Sequence, residues 1–262
     1  MRSHFNQPSD YGQRVFLFDN EEDLTKGTEW HSKGYNINKF LSEDRFNDFM
    51  QGTCSIFQSA LQNADVPCPL QFDLSQYHLL IDNDYDVHLK VLEHTKLLHI
   101  DDFPISIKEV EERVSALCQV TVHAVNPFNS DRVFHYRVVR PQSNDNNPLH
   151  RDVWLEEYQD CINLYVPICG SNELSSLTLV PGSHLWSEDT IKRTLAGANV
   201  NGVQFNVPAV TETKNPLDII RPNPGQNEVL IFSPYLLHGG ANNLNTDVTR
   251  VSLELRLWRK QS

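Results

Sequence analysis

At Val120 the periodicity of the chain changes from helical to strand-like, and this change constrains the fold more than any other feature of the sequence. Before it, apolar residues recur at intervals of three and four. Ser42 is placed to cap a helix whose Phe46, Phe49, Met50, Thr53, Phe57, Ala60 and Leu61 share one face. A weaker pattern predicts a second helix over about 84–98, and Ser106 with Glu109 forms a capping-box signature ahead of Ile107, Val110, Val114 and Leu117. After Val120 come VTVHAV, RVFHYRVV, CINLYVPI, SSLTLV, EVLIF and RVSLELRLW, short alternating or apolar runs separated by Pro, Gly and Asn. Such strands predict a sandwich or jelly roll, with the helices against the outer face of one sheet. The expected class is α+β, mainly β, in a single domain over 1–262: residues 1–119 are mainly helical support and residues 120–262 the jelly-roll core. The segment 187–226 is the exception, with a predicted helix near DTIKRTL followed by a polar loop rich in Asn and Thr. An insertion of this kind is expected to form a lid, with Asn199 to Lys214 closing over a binding site.

At 262 residues the chain can bury a sizeable core, and 39% hydrophobic with 21% charged residues describes neither a disordered polymer nor a membrane protein. No window approaches the roughly 18 apolar residues of a membrane span, and the start MRSHFNQPSDYG has no apolar signal core, so the expected location is the cytoplasm. The five cysteines, Cys54, Cys68, Cys118, Cys161 and Cys169, lack CxxC spacing and read as reduced, mostly buried thiols. A formal net charge of −12 without a basic run opposes nucleic-acid binding. A small-molecule partner is expected, and no feature specifies an oligomeric state.

Within PLHRDVWLEEY, residues 148–158, His150 and Asp152 stand two apart, so on an extended chain both point to one face and Arg151 to the other. Alone, such a pair is either two solvated residues at a loop exit or two ligands of a metal. His238 supplies a third donor, because it follows EVLIFSPYLL and precedes GGANN, where a buried strand opens into a glycine turn. Two histidines and one carboxylate on one side of iron leave the other positions open to cosubstrate, substrate or oxygen. Twelve residues beyond His238, Arg250 and Ser252 share a face of TRVSLELRLW. An Arg fork matches a carboxylate with two parallel hydrogen bonds, and a neighbouring hydroxyl adds a third. An open metal with this clamp suits a ligand that chelates at one end and carries a carboxylate at the other, the shape of 2-oxoglutarate. The alternative for Arg250 is an outward pairing with a surface acid such as Asp247.

HRD, LTLVPGSHLW, IFSPYLLHGGANN and RVS, in that order, and the opening GYNINKFLSEDRF resemble the phytanoyl-CoA dioxygenase-like branch of the Fe(II)/2-oxoglutarate-dependent oxygenases, over about residues 34–258. The resemblance implies a double-stranded β-helix, a cupin-like jelly roll buttressed by N-terminal helices. It implies Fe(II) on His150, Asp152 and His238, and 2-oxoglutarate held at its far carboxylate by Arg250, with Ser252 supplying a hydroxyl. It also implies O2 as cosubstrate, and hydroxylation of a substrate with release of succinate and CO2. Halogenating relatives carry Ala or Gly at the carboxylate position, so Asp152 favours hydroxylation. Where the family often has Gly-Asp before its penultimate strand, this chain has Asn227 and Glu228; Asn can adopt the left-handed conformation that Gly supplies. Ser175 replaces a common Gly, and Gly240 stands where some members place a Ser on the cosubstrate. His184 of PGSH reads as a turn residue, because the triad is already complete.

Substrate contacts are expected from Tyr136 and Arg140, which alternate together on RVFHYRVVR, and from Trp154 and Tyr158 just past HRD. Arg140 would suit a carboxylate or phosphate, making the substrate a small metabolite, anionic if this residue meets it. Core packing is the alternative for Tyr136 and Trp154. Asn163, which faces opposite to Ile162 and Leu164, is a further candidate for binding the cosubstrate. Two other functions fit some of these residues: a metal-dependent jelly-roll isomerase or lyase that does not use 2-oxoglutarate, and a non-catalytic jelly-roll binding module. The module has no use for an Arg-Ser pair behind an open metal.

Overall fold

A computed structural model describes residues 7–13, 23–69, 71–143, 147–200, 203–239 and 242–260. Its helices are α1 (Glu43–Asn63), α2 (Tyr77–Leu80), α3 (Tyr85–Glu93) and α4 (Ile107–Cys118). Its strands up to the HRD segment are β1 (Ser9–Tyr11), β2 (Tyr35–Lys39), β3 (Leu98–His99), β4 (Val122–His123) and β5 (Val133–Val139). Beyond it come β6 (Cys161–Cys169), β7 (Thr178–Leu179), β8 (Ile191–Thr194), β9 (Ala198–Val200), β10 (Val203–Phe205) and β11 (Val210–Thr213). The last are β12 (Glu228–Phe232), β13 (His238–Gly239) and β14 (Arg250–Arg259).

One antiparallel sheet runs β2-β12-β6-β14-β5-β3, with β4 also paired to β14. Pleat alternation decides which side of this sheet each residue serves. Val251, Leu253 and Leu257 of β14, Ile162 and Val166 of β6, Phe134, Tyr136 and Val138 of β5, and Val229 and Ile231 of β12 join one buried cluster with Phe46, Phe49, Phe57 and Leu61 of α1. The intervening positions Arg250, Ser252, Glu254 and Arg256, with Asn163 and Tyr165, lie on the opposite face. Across from them stands a second, smaller sheet, β7 with β13, extended by the bridges His150–His238 and Leu179–Ile220. Tyr165, Leu177, Leu179, Leu230, Phe232 and Leu236 pack between the two sheets. The architecture is mainly β, a double-stranded β-helix with helices on its outer face.

The first helix forms as its spacing predicts. Ser42 Oγ accepts from Arg45 N, Glu43 and Asp44 occupy the first turn near the positive end of the helix dipole, and the predicted apolar face is buried, with Met50 half-buried. α3 is shorter than the predicted 84–98 and is capped by Asp84, which accepts from Asp86 N and Val87 N. α4 starts after Ser106 as expected, but Ser106 makes no side-chain capping bond. Glu109 instead forms a fork with Arg45 of α1, at 2.8 and 2.5 Å, so a helix-to-helix ion pair replaces the local capping box.

The segment 187–226 departs from expectation. DTIKRTL is not a helix: a short turn over Glu188–Thr190 leads into β8, whose Ile191 and Thr194 are buried while the strand pairs with β1 and β11. The β-branched Ile191 and Thr194 suit a strand held between two partners better than a helical face. The predicted polar loop contains three short strands: β9 pairs with β10 and β11 with β8, and Val210 N bonds Leu149 O at 2.8 Å. Asn227 takes φ 57°, the left-handed conformation expected of it, and its side chain bonds both the amide and the carbonyl of Leu41. Gly240 lies outside the described residues. No described helix is long and apolar enough to cross a membrane.

Candidate active site

His150 and His238 are direct cross-strand partners. Each backbone amide donates to the other's carbonyl, at 2.9 and 3.0 Å, so both side chains leave the same face of the small sheet, with ring centroids 4.4 Å apart. Each Nδ1 donates to a backbone carbonyl: His150 to Pro148 at 2.6 Å and His238 to Leu236 at 2.9 Å. These bonds select the tautomer and leave both Nε2 lone pairs facing Asp152 Oδ1, at 3.2 and 3.6 Å. Two lone pairs and a carboxylate oxygen converge, which is the donor set of a bound cation. Burial, reinforced by neighbouring His150, lowers His238 to about 4, so its imidazole is neutral. Gly239, at φ 129°, lies so close to Pro148 O that a Cβ would collide with it. The glycine after the distal histidine thereby protects the carbonyl that orients the proximal one.

Asp152 is held from its other side. Oδ2 accepts from Asn163 Nδ2 at 2.9 Å and from Arg256 Nε and Nη2 at 3.2 and 3.0 Å, while the Arg256 guanidinium also lies 4.2 Å over the Tyr158 ring. Burial opposes ionisation of Asp152, but the Arg256 guanidinium outweighs it and holds the carboxyl well below its ordinary range. Beside this group, Arg137 and Glu254 form a two-bond fork at 3.0 and 2.9 Å. Burial would raise the Glu254 carboxyl, yet the charge and hydrogen bonds of Arg137 keep it at about 2.

Arg250 shares the cavity with the triad and is 0% exposed; its guanidinium lies 5.9 Å from the centroid of the Tyr165 ring, yet none of its three nitrogens has a hydrogen-bond partner, nor has the Ser252 hydroxyl. Asp247, the alternative partner, does not meet it. A fully buried, unpaired guanidinium is costly, and its presence beside a metal donor set fits a carboxylate ligand. The residues therefore fit both iron and 2-oxoglutarate.

The substrate candidates fare differently. Tyr136 has the same pleat parity as Phe134 and Val138, so it enters the core under the helices, with its hydroxyl 2.8 Å from Thr53 Oγ1. Arg140, just past the end of β5, donates to Asn83 O at 3.1 Å and lies over the Tyr85 ring, away from the cavity. Arg137, between them, is the residue of this strand that lines it. Trp154 donates to Glu188 Oε2 at 3.0 Å, outside the lining, and Tyr158 stands behind Arg256. Asn163 lines the cavity, where Nδ2 donates one N–H to Asp152 Oδ2 at 2.9 Å and so orients the carboxylate, while Oδ1 has no hydrogen-bond partner. Arg256, Arg137, Glu254 and Tyr165 were missed as site residues; the parity of β14, counted on from Arg250 and Ser252, carried the signal for Glu254 and Arg256.

Arg151, between His150 and Asp152, points away from them as its parity requires. It is 0% exposed and pairs with Glu188, Ser183 O and Trp186 O, tying the HRD turn to the PGSH turn. Glu188→Ala leaves this guanidinium buried without its carboxylate, and a loss of about 3–5 kcal/mol is expected in chemical denaturation.

His135 neighbours the Arg256 and Glu254 side chains, and its Nδ1 accepts from Leu97 N at 3.0 Å. Burial first, and Arg256 second, lower it to about 4. The unfolded chain takes up this proton near pH 6.5 and the folded chain only near 4, so stability is complete above about 6.5 and falls as pH drops toward 4. The expected loss is about 2 kcal/mol after allowing for the partial exposure of the ring. His135→Asn, which keeps an acceptor, is expected to flatten the decline in urea midpoints between about pH 7 and pH 4.5.

A jelly roll carrying two histidines and a carboxylate beside a buried arginine defines the class of metal-dependent oxygenases that use a chelating oxo acid. Residues 77–252, more than half of the chain, match the model of the phytanoyl-CoA dioxygenase (PhyH) family, and the chain belongs to that family. It is an Fe(II)/2-oxoglutarate-dependent oxygenase, with O2 as the other cosubstrate. No curated protein sequence matches it. Among solved structures it is similar to AviO1 from Streptomyces viridochromogenes Tue57, with 15% identity over 89% of this chain and 93% of that one and a TM-score of 0.52. It is also similar to EctD from S. alaskensis with 2-oxoglutarate and 5-hydroxyectoine, with 12% identity over 98% and 87% and a TM-score of 0.53. At these identities the likeness concerns the fold.

Proposed function

We propose that this oxygenase hydroxylates a small organic metabolite, converting substrate, 2-oxoglutarate and O2 to hydroxylated product, succinate and CO2. The unpaired Arg250 guanidinium behind the His150–Asp152–His238 donor set carries this reading. His150, Asp152 and His238 would hold the iron, and Arg250 with the Ser252 hydroxyl would hold the far carboxylate of 2-oxoglutarate. Iron, when bound with 2-oxoglutarate, supplies the activation of dioxygen that attack on a C–H bond requires. The chain's own contribution is placement. Arg256 and Asn163 fix the Asp152 carboxylate, the two backbone carbonyls fix the imidazoles, and Leu177 and Phe232 give the cavity an apolar wall that excludes water. Arg140, the reason to expect an anionic substrate, lies outside the cavity, and the other lining arginines, Arg137 and Arg256, are already paired. The substrate class proposed is therefore a small organic molecule without a required negative charge.

Adding Fe(II) and 2-oxoglutarate without air is expected to give a metal-to-ligand charge-transfer absorption that His238→Ala lacks. Admitting air should then release succinate. A metal-dependent isomerase or lyase would show neither, and absence of the band in the intact protein overturns the oxygenase chemistry proposed for these residues.

A further inference from the structure

A second cluster of two histidines and a carboxylate lies apart from the first. Asp23, His31 and His184 each offer one donor atom, all within 4.8 Å of one another. Asp23 and His184 are 2% and 1% exposed, and His31 is half-buried. The Asp23 carboxylate accepts from Thr25 N at 3.0 Å and from Ser233 Oγ at 2.8 Å, and no lysine or arginine among the described residues pairs with it. His184 Nε2 donates to His31 O at 2.6 Å, which leaves Nδ1 as the lone-pair nitrogen, buried and without a partner. Gly34, at φ 76°, keeps space at that atom, since a Cβ there would lie 2.5 Å from it. His31 Nδ1 is fixed by the Thr25 hydroxyl at 2.8 Å.

Each of the three side chains thus has a hydrogen bond that orients it, as metal-ligating groups usually have, while a buried carboxylate meets a buried nitrogen lone pair that has no hydrogen-bond partner. We propose that Asp23, His31 and His184 bind a divalent transition-metal ion at a site separate from the iron triad, with zinc as the matching probe for this nitrogen and oxygen donor set. Among the described residues the guanidinium near it, that of Arg151, is already paired with Glu188, so the cluster lacks the oxo-acid clamp of the first site. Its place in the fold gives it a structural role. The ion would join the segment 23–34, the PGSH turn and, through Ser233, the end of β12. Ser183, next to His184, accepts from Leu237 N at 2.8 Å, one residue before His238. The second ion would therefore brace the distal arm of the triad from behind.

The test counts metal on the full-length chain. Metal-free protein dialysed against excess Zn(II) is expected to retain two zinc ions per chain, with one in His31→Ala, one in His238→Ala and none in the double variant. Zinc should also raise the thermal midpoint of His238→Ala but not that of the double variant, and His31→Ala should keep the anaerobic charge-transfer band. One zinc in both the wild type and His31→Ala, with none in His238→Ala, overturns the proposal. So does a zinc-induced shift in midpoint that is the same with and without His31.

Discussion

Asp152→Ala is expected to abolish 2-oxoglutarate-dependent succinate formation and also to destabilise the fold by about 3–5 kcal/mol, an effect that loss of a metal ligand alone would not produce in the apoprotein. Asp152 accepts two hydrogen bonds from Arg256 and one from Asn163 in a buried site. Removing it orphans a guanidinium whose remaining neighbour is the Tyr158 ring, 4.2 Å away. Asp152→Ala with Arg256→Met should then recover much of the stability while turnover stays absent, because the second change removes the uncompensated charge without restoring the ligand. Urea denaturation of the single and double variants, beside a succinate assay, separates the two roles. Turnover by Asp152→Ala would remove this residue from the metal centre, and unchanged stability would mean that Arg256 finds another partner.

Arg250→Met should move stability and function in opposite directions. The guanidinium is buried with three unpartnered nitrogens, so an apolar side chain of similar length is expected to raise the thermal midpoint of the apoprotein. The same change removes the fork proposed for the 2-oxoglutarate carboxylate. Two charge-assisted bonds at about 1.5–3 kcal/mol each, partly offset by desolvation, predict an affinity loss of about a hundredfold to a thousandfold. Stabilisation by 2-oxoglutarate, expected of the wild type, should be absent from the variant. Ser252→Ala, losing one neutral donor, should cost about tenfold. A variant that loses apoprotein stability and still binds 2-oxoglutarate normally would place the cosubstrate elsewhere.

Much of this was legible in the sequence because it rests on local geometry. The helical spacing from Phe46 to Leu61 buries the face it predicts, and alternation through RVSLELRLW puts Leu253 and Leu257 under the helices and Arg250 in the cavity. His150 and Asp152 share a face, Arg151 takes the other, and Asn227 carries the positive φ of a turn without glycine. The errors came where two local patterns fit equally or where a distant residue decided. DTIKRTL is short enough to satisfy either period, and pairing with β1 and β11 made it a strand. Ser106 and Glu109 have capping-box spacing, but Arg45 on another helix took the glutamate.

By itself, the sequence determined which residues could share a face, since pleat and helix periods are properties of adjacent backbone units. Only the tertiary structure decided which faces meet. It set Tyr136 against α1, turned Arg140 to Asn83, seated Arg256 on Asp152 across 104 positions of chain and left Arg250 unpaired in the cavity. It also brought Asp23 and His31 to His184, a histidine that the sequence presented as part of a turn. The physical reason is range: side-chain direction is fixed within a few residues, whereas a partner's identity depends on how whole sheets and helices stack to bury their apolar sides.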